Sequence, residues 1–250
     1  MMIGPIRAAL RNRQQTVVEQ LRELIMTGAL EAGQRLLEVS LSEQLLVSRT
    51  PIREALIVLA EDGLVGYRPN RGYIVREFSF QYIMDAYIVR EALEGLACRL
   101  AAERSLAPEL EARMQACLNR GDDILAAPRL SAELRDPWRE VNDELHTLLI
   151  EAADNPPLMQ ALNAATKIPY ASSRVVHWFE DEDMEGLYQL RMVHRQHRDI
   201  VTAISSGEAY RAEMLMRGHI AYAANHICQQ FEAAGGNARL ETAGILSSVA

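Results

Sequence analysis

The sequence predicts a mainly α protein built in two unlike parts. Apolar residues recur at helical spacing in almost every segment, and strand-like alternation is confined to one short stretch, LVGYRPNRGYIV, at residues 64–75. Charge divides near the same place. Up to Glu77 there are 10 arginines against 9 acidic residues, whereas the remainder holds 16 basic and 25 acidic residues. The overall net charge of −8 therefore belongs to the second part and does not argue against a nucleic-acid contact by the first.

The elements follow in order. From Gln14 to Met26, the residues Val17, Val18, Leu21, Leu24 and Ile25 recur with helical period, and Thr27-Gly28 is a usual helix stop. EAGQRL reads as a turn. Ser40 is expected to cap a short helix, SLSEQLL, with Glu43 three residues on as in a capping box. In VSRTPIREALIVLAEDG, Ser48 or Thr50 can cap, Pro51 suits the first turn, and Gly63 closes the helix. LVGYRPNRGYIV reads as two short strands around the turn RPNRG. Three helices and a hairpin are the plan of a winged helix-turn-helix. After Phe78, helices are expected near 80–104, 108–126, 133–153, 156–178, 184–206 and 208–232, with breaks at SLAPE, AAPRL, ADNPP, FEDEDME and SSGEA. The short connections make neighbours antiparallel. The expected architecture is an N-terminal winged helix-turn-helix (1–77) followed by an all-α antiparallel bundle of six to seven helices (78–233). A Gly/Ala/Ser-rich flexible tail (234–250) completes it.

Bulk properties exclude several classes. With 250 residues, 49% hydrophobic and 24% charged, the chain can bury a substantial core. No run approaches the ~18 apolar residues that span a membrane, and MMIGPIRAALRNR lacks the apolar stretch of a signal peptide. Cys98, Cys117 and Cys228 are scattered without a CxxC pair, which argues against a disulfide framework or a cysteine zinc site and for a reducing, cytoplasmic setting. Lys167 is the single lysine; every other basic residue is arginine, the better residue for forked contacts to phosphate and guanine.

LSEQLLVSRTPIREALIVLAEDGLV resembles the GntR family of bacterial transcription regulators, and agreement runs from about residue 14 to the wing's RGYIV. Independent physics points the same way. A recognition helix presents its first turn to the major groove, and here that turn carries Ser48, Arg49, Thr50 and Arg53. Arg49 and Arg53 lie four apart on one face and suit guanine or phosphate. Ser48 and Thr50 suit phosphate oxygens, while Ile52, Leu56 and Leu59 face inward. Arg71 and Gly72 at the wing tip can approach backbone or minor groove, and Arg35 can clamp a phosphate. Two positions depart from the family pattern. Its Gly before VSR is Leu46, which is expected to tighten or re-angle the turn, and its Pro before Gly33 is Ala32.

The second part resembles the FCD ligand-binding domain of the FadR branch. YIVREALEGLACRLAAERS, VNDELHTLLIEAADNPPL and HRQHRDIVTAISSGEAYRAEMLMRGHI carry the resemblance. It implies a metal held by an Asp, a His four residues later and two further His. Those positions are Asn142, His146, His197 and His219. The imidazoles suit zinc or nickel, but an Asn carbonyl adds no negative charge, and Asp143 is turned about 100° away on a helix. Three readings stay open: a metal on His146, His197 and His219 with Asn142 or water; a metal-free polar pocket holding an effector; and satisfied core histidines. Arg90 either meets an effector carboxylate or bridges Glu94 one turn on. Arg139 and His194 are further effector candidates. Tyr170, His177, Trp178 and Phe179 are candidates for aromatic wall or plain packing.

The expected function is that of a homodimeric regulator, most simply a repressor, that binds a palindromic double-stranded operator and is released by a small carboxylic acid. Asn-x3-His with HRQH is similar to repressors of vanillate-type aromatic-acid catabolism, which favours an aromatic acid. The rivals are a metal-dependent enzyme acting on a small acid, for which no convincing general base is seen, and a constitutive DNA-binding protein whose helical part only dimerises.

Overall fold

A computed structural model describes residues 17–26, 28–166, 168, 171 and 184–233. The chain separates into two compact units, the first running to Phe80 and the second beginning at Gln81.

In the first unit, α1 covers residues 17–26 and buries Val17, Val18, Leu21 and Ile25. The chain then runs through β1 (Arg35–Leu36), α2 (Glu38–Gln44), α3 (Arg49–Glu61), β2 (Val65–Arg68) and β3 (Gly72–Val75). The three strands form one antiparallel sheet in the order β1-β3-β2, with Leu36 opposite Tyr73 and Tyr67 opposite Tyr73 on the other side. A single core joins Leu21, Ile25, Leu41, Ile52, Leu56, Leu59 and Val75. The winged helix-turn-helix plan holds, with three local corrections. Arg35–Leu36 is a strand rather than part of a turn, because β3 offers it a partner that no local pattern announces. That strand carries the chain in extended form up to Leu37, so α2 starts at Glu38 and Ser40 lies inside it; no side-chain cap forms. Leu46 does not tighten the turn before α3. It takes the left-handed conformation (φ 54°) that a glycine adopts freely, with its side chain 92% exposed. Docking of the flanking helices overrides the residue's own preference.

The second unit consists of helices joined by loops among its described residues. It comprises α4 (Phe80–Arg104), α5 (Pro108–Leu125), a 3-10 turn (Ala132–Leu134), α6 (Arg135–Ala152), α7 (Pro156–Thr166), α8 (Met184–Ser205) and α9 (Ala209–Ala233). Helix α5 packs on α6 and α8, and α8 packs on α9. Pro108 opens α5 at its first turn, where a missing amide costs nothing. Trp138, buried with Leu125, Leu130, Leu187 and Leu190, ties α5, α6 and α8 together. Ala97, Ala153, Leu158 and Leu162 tie α4 to the α6–α7 corner. Helix α7 ends at Thr166, and Ile168 and Ala171 beyond it form bends rather than the expected continuation of the fourth bundle helix; the rest of that stretch, the aromatic candidates Tyr170, His177, Trp178 and Phe179, and the expected tail lie outside the described residues. No helix among the described residues is long and apolar enough to cross a membrane.

Candidate functional site

Two constellations stand out, one in each unit. In the first, Ser48 precedes α3 in extended conformation (φ −71°, ψ 164°) and makes no side-chain cap bond. Ser48, Arg49, Thr50 and Arg53 are all exposed, while Ile52, Ala55, Leu56 and Leu59 anchor the opposite face. The two arginines converge on Glu38 of α2. Arg53 donates through Nε to Oε1 at 2.9 Å and through Nη2 to Oε2 at 2.8 Å, and Arg49 Nη2 reaches Oε2 at 3.3 Å. Hydrogen bonding from Arg53 outweighs burial and holds the Glu38 carboxyl below its ordinary range. Sequence reasoning missed Glu38, because a helix assumed to start at Ser40 leaves it outside. Arg35 and Arg71 are exposed, and Gly72 sits at φ 75° with no atom within 4 Å of where a Cβ would stand. The wing tip is therefore open to close approach of another molecule's backbone.

In the second unit, α6, α8 and α9 bring His146, His197 and His219 together, all buried. Their Nε2 atoms converge: His146 to His219 is 3.3 Å, and His197 to His219 is 3.3 Å. Burial, then the neighbouring imidazoles, push His197 well down, and burial with His146 beside it brings His219 to about 3. Both rings are therefore neutral at physiological pH. Behind them, His146 Nδ1 lies 2.6 Å from Glu94 Oε2 and His219 Nδ1 lies 2.9 Å from Gln196 Oε1. His197 Nδ1 is buried without a hydrogen-bond partner. Burial pushes the Glu94 carboxyl up, but Arg90 and the His146 ring outweigh it and hold it at about 2. Glu94 is thus an anion that accepts, and His146 donates through Nδ1.

This donor set fits a metal. With Nδ1 donating on both rings, the lone pairs of His146 and His219 face each other across 3.3 Å, and a cation between them would satisfy both. Zinc–nitrogen bonds of about 2.0–2.1 Å at tetrahedral angles set ligand nitrogens about 3.3–3.4 Å apart. His146, His197 and His219 would hold such an ion, which would supply a positive centre for an anionic ligand. Asn142 is buried one turn before His146.

The other candidates fall around this core. Arg90 is buried against Glu94 (Nε to Oε1 2.7 Å) with its guanidinium over the Tyr87 ring. Its intrahelical pairing is the arrangement formed. Asp143, half-buried, makes its charge felt at Arg90. Arg139 pairs with Asp136 one turn back at 3.2 Å. His194 faces α5, with Nε2 3.1 Å from both the Leu118 carbonyl and Asp122 Oδ1. Its ring occupies the space that a side chain at Gly121 would need. Sequence reasoning missed Gln196 altogether and saw Glu94 only as a partner for Arg90.

Comparison with known proteins places both units. The description "Bacterial regulatory proteins, gntR family" matches residues 13–75, and "FCD domain" matches residues 85–222. The chain belongs to the GntR family and carries an FCD domain. It is 29% identical over 208 residues to the HTH-type transcriptional repressor RspR of Escherichia coli, spanning 82% of this chain and 85% of that one. It is 30% identical over 219 residues to the probable D-xylose utilization operon transcriptional repressor of Paenarthrobacter nicotinovorans, spanning 82% and 86%. The fold matches the solved structure of E. coli McbR/YncC with a TM-score of 0.68 at 20% identity, over 87% of this chain and 98% of the other. This GntR-family protein is therefore a transcriptional regulator, and the enzymatic reading of its histidines falls away.

Proposed function

We propose that this GntR-family regulator is a homodimeric repressor that binds a palindromic operator and is released by a small carboxylic acid bound in its FCD domain. Residues 1–77 act as the DNA-binding domain and 78–233 as the effector and dimerisation domain. Arg49 and Arg53 exchange Glu38 for base edges or phosphates, Ser48 and Thr50 take phosphate oxygens at the helix start, and Arg35, Arg71 and Gly72 complete the contact. Named repressors among its relatives support the direction of the response. Dimerisation is supported by an exposed apolar stripe on α4, where Tyr82, Val89 and Leu96 recur every seven residues beside Ile88.

The observation that carries the sensing half is the convergence of three buried Nε2 atoms, two of them on neutral rings with well-depressed pKa. A divalent metal, zinc or nickel, suits them. Glu94 is offset by Arg90, and Asn142 brings no charge, so a bound dication keeps its positive charge and a carboxylate is the natural counter-ion. The acid favours one of two protein states, and operator affinity changes by the difference in its binding free energy to the two. Aromatic acids are favoured on the likeness of the Asn-x3-His and HRQH pattern to vanillate-type repressors; sugar acids, hydroxyacids and dicarboxylates complete the panel.

The test is metal analysis of untagged protein purified without chelator, paired with thermal shifts for the acid panel with and without EDTA. One metal per chain and acid stabilisation lost on chelation are expected. Stabilisation that survives chelation would make the histidines direct effector contacts. No shift with any acid would favour a constitutive regulator. His197→Ala should leave operator binding intact and flatten the effector dose curve.

A further inference from the structure

The histidine cluster is held from behind by two acceptors that come from different helices. Glu94 on α4 receives the His146 Nδ1 proton at 2.6 Å, and Gln196 Oε1 on α8 receives that of His219 at 2.9 Å. A core histidine is satisfied equally well through either ring nitrogen. Here both rings use the same nitrogen outward, and both present Nε2 to a common point. Glu94 is itself fixed by the buried Arg90. His197, the third member, has no such support, and its Nδ1 is buried with no partner.

We infer that Glu94 and Gln196 are positioning residues for a divalent cation: they lock His146 and His219 in the Nδ1–H tautomer, so that two of the three nitrogen lone pairs are aimed before the ion arrives. Removing an orienting partner behind a metal-bound imidazole characteristically weakens metal affinity about 10–100-fold. The two acceptors should act alike although they differ in charge, helix and burial, because each performs the same service for its own ring. The inference rests on reading the cluster as a cation site.

The experiment is zinc titration of the full chain against a chromogenic chelator. Gln196→Leu is expected to weaken zinc binding about 10–100-fold, with the melting temperature in EDTA unchanged. Gln196→Glu, which keeps an acceptor on Nδ1, is expected to bind at least as tightly as the natural chain. A purely structural glutamine would not show this loss and rescue. Glu94→Leu, which removes the acceptor behind His146, is expected to weaken zinc as well; should it not fold, the Gln196 pair decides. Gln196→Leu binding zinc within about twofold of the natural chain overturns the positioning role while leaving the cation site standing. A natural chain that binds no zinc overturns both.

Discussion

Two arginine–glutamate couples in this molecule meet at nearly the same distance with opposite consequences. Arg53 and Glu38 meet at 2.8 Å with side chains 60% and 23% exposed; Arg90 and Glu94 meet at 2.7 Å with 3% and 2% exposed. At the surface the attraction is screened and water replaces either partner readily, so the pair adds little to stability and, in the proposed DNA-binding role, can be traded for a phosphate or a guanine edge. In the bundle both ions have already lost their water, and neither can leave without stranding the other. Exchange is available to the first couple and closed to the second. An arginine meant to find a new partner sits at the surface, and one that shapes a site is sealed within it. Arg90, expected from the sequence as an effector contact or an ion-pair partner, stands in the second position.

That contrast can be broken by mutation, and the largest effect is expected in the bundle. Glu94→Ala leaves Arg90 buried and uncompensated and should lower stability by about 3–5 kcal/mol in urea unfolding. The double change Arg90→Met with Glu94→Met should cost less than Glu94→Ala alone; an equal or greater cost would mean that the pair is not the source of the effect. Lowering the pH attacks the same region. His197 and His219 have folded pKa values below 6.5, with His219 at about 3, so as pH falls the unfolded chain takes up protons that the folded chain refuses. Their contribution is complete above 6.5 and is lost as pH drops toward 3. Glu94, about 2 folded against 4.5, adds a further loss between those values. Urea midpoints should therefore fall steadily from about pH 7.5 to about pH 4.5, and a flat profile would contradict buried neutral rings.

On the surface side, Arg49→Ala should reduce the preference for operator over random DNA about tenfold to a hundredfold without moving the melting temperature. Unchanged preference in a gel-shift titration would refute α3 as the reading helix. The smallest effect belongs to Glu38→Gln. Freed of its competing carboxylate, the arginine pair should grip non-operator DNA a few-fold more tightly at low salt, with stability unaltered. A loss of non-operator affinity would instead make Glu38 a support for the arginines.

Much of this was legible in the sequence. Helical period located the bundle helices, the motif around VSRTP located α3, and the histidine spacing marked positions that the fold brings together. What escaped depends on partners far along the chain. A two-residue strand has no periodicity of its own and exists only because β3 is there to pair with it. Glu38 acquires its meaning from α3, and Glu94 from a histidine 52 residues away. Leu46 has no local reason to adopt a glycine's conformation; the helices on either side impose it.

Gly121 has a consequence for how such a regulator can diverge. Any side chain there would collide with the ring of His194, and that ring belongs to the helix that also presents Gln196 and His197. The contact between α5 and α8 is thus set by an atom that is absent. A lineage could keep every polar residue of the cluster unchanged and still lose its arrangement through one added methyl group on α5. Descent with an altered ligand, or with none, need not begin at a ligand-binding residue at all.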